Sequence, residues 1–348
     1  MSNHAAGESD IFGEILSFFR RYAIVQEIAQ QNWGKGKMSN RVRGFTMVIV
    51  ASVLWGISGT VAQALFHHYH FTTEWLTSAR LVFSGMILLL VSLVGEKRQN
   101  VWQMIRSKGE FARLVVFGIL GLMAVQYTFF LSIAKGNAAT ATLLQYLGPV
   151  FMTVFLILRY RQLPTAKQVM ALLLALLGTF LLITNGNPGK LSIAPGAVFW
   201  GLVSGVVWVF YTLYPLKLLA NWGATVVLGW GMLIGGIGMS LVSQPWQTTG
   251  QIWGLPSVMA IVFNILFGTV IAFYLYLDSM RFIKPSETGV LASVEPLAAV
   301  VATVVWLHVP FGVFEWVGAL CIMGTVMLLA TAGEKKKAEV PLEQHVQL

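Results

Sequence analysis

Apolar residues in this chain come in long unbroken runs, with polar residues gathered into the short gaps between them. Ten such runs lie between Gly44 and Ala332. Each holds about 20 residues, the length an α-helix needs, at a rise of ~1.5 Å per residue, to cross ~30 Å of hydrocarbon. They cover approximately 44–66, 73–94, 111–133, 138–158, 166–184, 196–219, 224–241, 257–277, 287–307 and 313–332. A helix that is apolar on every face is buried or in lipid, so the pattern predicts an all-α integral membrane protein with ten transmembrane helices.

The runs also repeat. Residues 138–184 return in recognisable form at 286–330: Pro149 falls on Pro296 and, after a one-residue slip in the turn, Pro164 on Pro310, Gly178 on Gly324 and Thr179 on Thr325. Counting back without a gap, Gly121 falls on Gly268, Tyr127 on Tyr274 and Leu144 on Leu291, and Trp55 in the first run matches Trp208 in the sixth. The chain therefore reads as two five-helix repeats, 44–185 and 195–332, with tails at 1–43 and 333–348. Five is odd, so the second repeat must enter the membrane from the opposite side. Inverted repeats of this kind recur in secondary transporters, with the substrate site near the midplane between them.

Composition agrees with a membrane protein and excludes a soluble one. Apolar residues make up 56% of the chain and charged residues 11%, with mean hydropathy +0.72, against ~25% charged residues in a typical soluble domain. The net charge of +9 would suggest nucleic acid in a soluble chain. Here nearly every Lys and Arg lies between apolar runs, which is the arrangement that orients a protein in a bilayer. With the N-terminus cytoplasmic, the outer loops hold only Lys135 and Lys190. Apart from Arg80 inside the second run, the inner segments hold the remainder, from Arg41 and Arg43 through Arg106, Lys108, Arg113, Arg159 and Lys217 to Lys337. Both termini are therefore read as cytoplasmic, in a multi-pass plasma-membrane protein.

Charges inside the runs mark candidate sites, because a carboxylate or guanidinium at the bilayer centre costs at least ~2.5 kcal/mol. Glu295 lies ~15 Å along its helix from the inner end, and Arg80 ~10 Å from the outer end of its own. Glu295 is read either as a cavity residue contacting a substrate amine or taking up a proton, or as an internal pair or cap beside Pro296. Arg80 is read as a fork for a substrate carboxylate, or as a partner of Glu295 or of helix carbonyls. Trp55, Gln63, Gln126, Tyr127, Gln145, Tyr146, Trp208, Tyr211, Asn264 and Tyr274 are the polar and aromatic residues of a cavity wall, with helix-to-helix hydrogen bonding as the competing role. Asp278, near Arg281, reads as a cytoplasmic ion pair.

Other chemistry finds little support. The single cysteine, Cys321, excludes a disulfide within the chain and any cysteine-based metal site. His67, His68 and His70 lack a carboxylate or cysteine partner in their loop, so no metal site is expected. No HExxH, acidic magnesium cluster or GK[ST] loop is present, and no cofactor is implied. The GISG at 56–59 makes Ser58 a formal candidate nucleophile, but every available His sits near an outer helix end, and packing is the simpler role. Gly201 and Gly205, and Gly231 and Gly235, form GxxxG pairs compatible with close helix packing or a homodimer.

Four stretches carry a family resemblance: LWG at 54–56, Ala79-Arg80, LLQYLGPVF at 143–151 and VEPLAAVVATVVWL at 294–307. With coverage from about Arg43 to Ala332, the chain resembles the drug/metabolite transporter superfamily, specifically EamA-type proteins. The resemblance implies ten spans in two five-helix repeats and export of amino acids or similar small metabolites. Such proteins often carry Gly-Glu after the fourth and ninth spans; here those places hold Arg161 and Gln162, and His308 and Val309, so no role of those glutamates is carried over. The combined expectation is a secondary transporter, not an enzyme, working by alternating access on a small-molecule substrate. Proton coupling through Glu295 is set beside an uncoupled facilitator and an intramembrane serine protease as alternatives.

Ahead of the first run, Ile11, Ile15, Phe18, Phe19, Tyr22 and Val25 recur at helical spacing, so a helix on the inner leaflet is expected there unless Met38 is the functional start. N-terminal sequencing of the purified protein separates the two: a first residue upstream of Ile11 keeps the surface helix, and a start at Met38 removes it.

Overall fold

Every backbone N–H and C=O in hydrocarbon has to be paired inside the protein, and an α-helix does this within one segment. The computed structural model describes residues 37–94, 98–160, 163–247, 249–283 and 285–337, and the elements among them are all helical. The surface helix expected around Ile11 and the departures at Arg161 and Gln162 fall outside the described residues. The chain divides into units Met1–Arg43 and Gly44–Leu348; of the first, the described residues 37–43 are helical.

In chain order the helices are α1 (Lys37–His67), α2 (Thr73–Val94), α3 (Arg98–Arg106), α4 (Lys108–Lys135), α5 (Ala138–Gln145), α6 (Gly148–Tyr160) and α7 (Ala166–Thr184). There follow α8 (Pro195–Leu213), α9 (Leu216–Trp222), α10 (Ala224–Ser243), α11 (Leu255–Ser279), α12 (Pro285–Leu291), α13 (Val294–Val305) and α14 (Val313–Lys337). Among the described residues nine spans are long and apolar enough to cross a membrane; the tenth run is represented by the shorter apolar segment Val313–Leu329 of α14.

Four features depart from uniform spans. The fourth run is broken between α5 and α6, and the ninth between α12 and α13. Pro149 and Pro296 have no N–H, so the carbonyls four residues earlier, at Gln145 and Ala292, lose their helical donor. Pro215 similarly ends the sixth span after Leu213, and the chain resumes as the short α9. α4 and α11 each contain a π-helical segment, Phe117–Met123 and Leu266–Ile271, at matching places in the two repeats. Finally, α3 occupies a stretch that reads as loop, because only Val101 and Met104 are apolar and inward; Trp230 Nε1 holds it by donating to the Val101 carbonyl at 3.0 Å.

Lipid is as apolar as leucine, so helices meet through small residues, with large ones turned outward. On α7, Ala171, Ala175 and Gly178 are buried while Leu172, Leu173, Leu176, Leu177 and Phe180 are exposed. Gly178 packs on Cys321 and the Gly318 carbonyl of α14, and Thr325 of α14 donates to the Ala171 carbonyl of α7, so these two helices run antiparallel. α2 and α10 are also antiparallel: Val82 meets Gly236, Gly85 meets Leu233 and Leu89 meets Gly229. The contact is reciprocal: Gly85 and Gly236 each touch the residue three before the other. The GxxxG glycines are likewise used within the chain, Gly201 and Gly205 against Leu144 and Phe151, Gly231 and Gly235 against Leu122 and the Gly118 carbonyl.

A methyl group on Gly85 would stand 2.7 Å from the Leu233 amide nitrogen, a backbone atom that cannot step aside. Gly85→Ala is therefore expected to destabilise the protein by about 1–3 kcal/mol through forced helix separation. Gly109→Ala, with nothing within 4 Å of the added atom, should leave the unfolding temperature in detergent unchanged.

Candidate functional site

Glu295 is the second residue of α13, just past the break that Pro296 imposes. Its side chain is half-buried. The Tyr146 hydroxyl, from the other helix break, donates to the Ala292 carbonyl at 2.6 Å and stands 3.0 Å from Glu295 Oε2. The freed carbonyl thus receives a replacement donor, and the two breaks are joined. Gln145, the last residue of α5, is half-buried beside Tyr146.

Aromatic rings form the surroundings. Trp55 of α1 packs edge-on to Phe273 at 5.1 Å and against Tyr276 at 5.2 Å, both on α11. Its counterpart in the other repeat, Trp208 of α8, covers Gly148, where an added methyl would come within 2.6 Å of the indole; one turn on, Tyr211 stacks on Phe117 at 5.9 Å. Tyr146, Tyr211 and Tyr276 are half-buried, as Glu295 is. Tyr276 and Phe273 escape the sequence reading, which selects Tyr274 through its match to Tyr127. Tyr274 and Tyr276 are ~200° apart around the helix, and it is Tyr276 that meets Trp55. Its signal was the helical spacing from Thr269 and Phe273, seven and three residues earlier.

Arg80 of α2 is buried and answers to α11. Its Nε donates to Thr269 Oγ1 at 2.6 Å, an Nη donates to the Gly268 carbonyl at 2.9 Å, and the guanidinium lies over the Phe130 ring, 5.3 Å from its centre. Both acceptors belong to the π-helical segment, where the usual helical pairing is displaced and carbonyls are available. Thr269 passes the chain on by donating to the Asn264 carbonyl at 2.9 Å. Asn264 and Ser58 exchange two bonds, Ser58 Oγ to Asn264 Oδ1 and Asn264 Nδ2 to the Ser58 carbonyl, each 3.0 Å. Ser58 is therefore tied into this network. Among the described residues no ion pair links Arg80 to Glu295.

The remaining sequence candidates lie elsewhere. Gln63 accepts from the Ala138 amide at 2.8 Å and so fixes the start of α5. Tyr127 donates to Glu74 Oε1 at 2.7 Å, near a cavity of about 510 Å³ lined by His67, His70, Glu74 and Lys135. Among the described residues, Gln126 on α4 has a buried Oε1 without a hydrogen-bond partner, as have the hydroxyls of Ser78 and Ser293. Asp278 pairs with Arg281 at 3.1 Å.

The EamA-like transporter family matches residues 42–184 and again 195–331, one match per repeat. The Salmonella typhimurium protein "Uncharacterized inner membrane transporter YicL" is 34% identical over 300 residues, which are 86% of this chain and 99% of its own length. "Uncharacterized transporter YyaM" of Bacillus subtilis is 20% identical over 80% of this chain and 90% of itself. A protein crystal structure, 19% identical, superposes with a TM-score of 0.56 over 87% of this chain and 99% of the other, a likeness of fold alone.

Removing the Arg80 head leaves the Gly268 carbonyl and Thr269 hydroxyl of the π segment without their donor. Arg80→Ala is expected to lower stability by about 1–3 kcal/mol. Because Arg80 bonds α11 and not Glu295, the Arg80→Ala/Glu295→Ala double variant should recover none of that loss. Recovery of folded protein in the double variant alone, scored by size-exclusion chromatography, would mean the two charges are partners.

Proposed function

The chain belongs to the EamA-like transporter family, and from that premise we propose that it is a secondary transporter exporting amino acids or similar small metabolites across the cell membrane. The observation that carries the site is Glu295: a half-buried carboxyl at the meeting of two helix breaks, joined to Tyr146, with Tyr276 close by and Trp55 packed on Tyr276. A wall of aromatic faces with one carboxyl suits a modest amphiphilic solute carrying an amine, which the carboxyl and the rings both attract. Trp208, Gln145 and Gln126 complete the wall, Gln126 with an acceptor still to be met.

Ten spans in two inverted repeats are the architecture we assign. The antiparallel pairing of α2 with α10 and of α7 with α14 supports it, since each pair consists of equivalent helices from the two repeats. Alternating access then follows as a rocking of the repeats about the central site. Arg80 acts in this scheme as the brace of α11, with Tyr274 on the far side of that helix. The relative YicL is named an inner membrane transporter, and the Lys and Arg asymmetry orients both termini to the cytoplasm. Ser58 spends its hydroxyl on Asn264, so chemistry at that serine gains no support, and transport without chemical change is the reading retained.

The test is flux of a labelled panel of amino acids and small metabolites in liposomes, with and without a pH gradient. Saturable flux is expected for at least one amine-bearing solute, reduced at least tenfold in Glu295→Gln. Flux that ignores both the gradient and the substitution would make the protein a uniporter or exchanger with a structural Glu295; no flux for any solute would remove the transporter reading.

A further inference from the structure

The contact between Tyr146, Ala292 and Glu295 poses a problem in counting hydrogens. A phenol carries one. The Tyr146 hydroxyl faces two acceptors, the Ala292 carbonyl at 2.6 Å and Glu295 Oε2 at 3.0 Å. The shorter separation is at the tight end of the range for O–H···O bonds, so the phenolic hydrogen is assigned to Ala292, the nearer of the two acceptors. That carbonyl has a standing claim to it, because Pro296 provides no N–H and the other donor reaching it is the Glu295 amide at 2.9 Å. Two oxygens 3.0 Å apart with no hydrogen between them would set lone pair against lone pair in a low-dielectric site, where such an arrangement is most costly.

We propose that Glu295 supplies the missing hydrogen: in this state its carboxyl is protonated, Oε2–H donates to Tyr146 Oη, and Tyr146 relays by donating to Ala292. Tyr146 is thus a positioning residue in a proton-carrying clamp that fastens the α5/α6 break of the first repeat to the α12/α13 break of the second. Loss of the proton to water leaves one phenolic hydrogen between two acceptors, and the clamp loosens at the interface of the repeats. The other titratable or charged groups near Glu295 are Arg80 from α2 and Tyr276 from α11, while α1 presents Trp55 and Gly56. Arg80, the one cation among them, directs its donors to Thr269 and Gly268, as it would beside a neutral carboxyl. The proposal rests on the reading of Glu295 as the group facing the transport path, and gives that reading a coupling ion and a mechanical link.

Infrared spectroscopy of the protein in lipid bilayers reads the clamp directly. A carboxylic-acid carbonyl band assigned by ¹³C-carboxyl glutamate labelling is expected in the wild type, absent in Glu295→Gln and weakening as pH is raised. Tyr146→Phe, which removes one oxygen and keeps the ring, should keep the fold and move the band to higher frequency by deleting its hydrogen-bond partner. Carboxylate bands alone at every pH, or a band unmoved by Tyr146→Phe, would overturn the proposal. Flux with an unmoved band leaves the transporter standing and the clamp wrong; a moved band with no flux for any solute leaves the clamp standing and removes the transporter.

Discussion

A carbonyl oxygen in hydrocarbon must find a hydrogen, and Pro296 leaves the one on Ala292 without its helical donor. Much of the centre of this protein follows from that. The chain tightens so that the Glu295 amide reaches Ala292, and Tyr146 crosses from the other repeat to complete the pairing. Glu295, held at the start of α13, is thereby set against Tyr146 rather than against Arg80. Proline is usually a cost in a buried helix. Here it frees the backbone group through which the two repeats communicate.

The same constraint is met differently at the two π-helical segments. On α11 the displaced backbone is held by polar side chains, with Arg80 on Gly268 and Thr269, Thr269 on Asn264, and Asn264 on Ser58. On α4 the segment Phe117–Met123 is met by Gly231 and Gly235 of α10, which pack on Leu122 and the Gly118 carbonyl. Counting from the paired Gly85 and Gly236, Gly231 occupies the place that Arg80 holds in the first repeat. One joint is bolted by directed bonds that break one at a time; the other is a close fit of smooth surfaces, which can slide without leaving a polar group unpaired.

Much of the fold was legible because membrane helices announce themselves by length and composition, and because the duplication allowed one half to check the other. The helix breaks were foreshadowed by Pro149 and Pro296, while the π segments were not, since a one-residue shift in hydrogen bonding leaves no mark on hydropathy. α3 was hidden by having only Val101 and Met104 to define its face. At the site, energy cost pointed to Glu295 and Arg80, and position relative to the prolines pointed to Gln145 and Tyr146. Partners were harder to read: Arg80 could have met a carboxylate or carbonyls, and the choice depends on how α11 is wound. Tyr274 was preferred to Tyr276 because repeat matching compares sequence positions, whereas a helix turns ~100° at each residue.

The reciprocal seam of α2 and α10 has a consequence in ancestry. Gly85 receives Leu233 as Gly236 receives Val82, so the two sides of the joint are copies of one surface. A self-matching surface needs to arise only once, since one and the same half-length surface then serves both sides of the seam. Away from the seam such a constraint is lifted, and there the two halves differ, with Arg80 five residues before Gly85 and Gly231 five before Gly236.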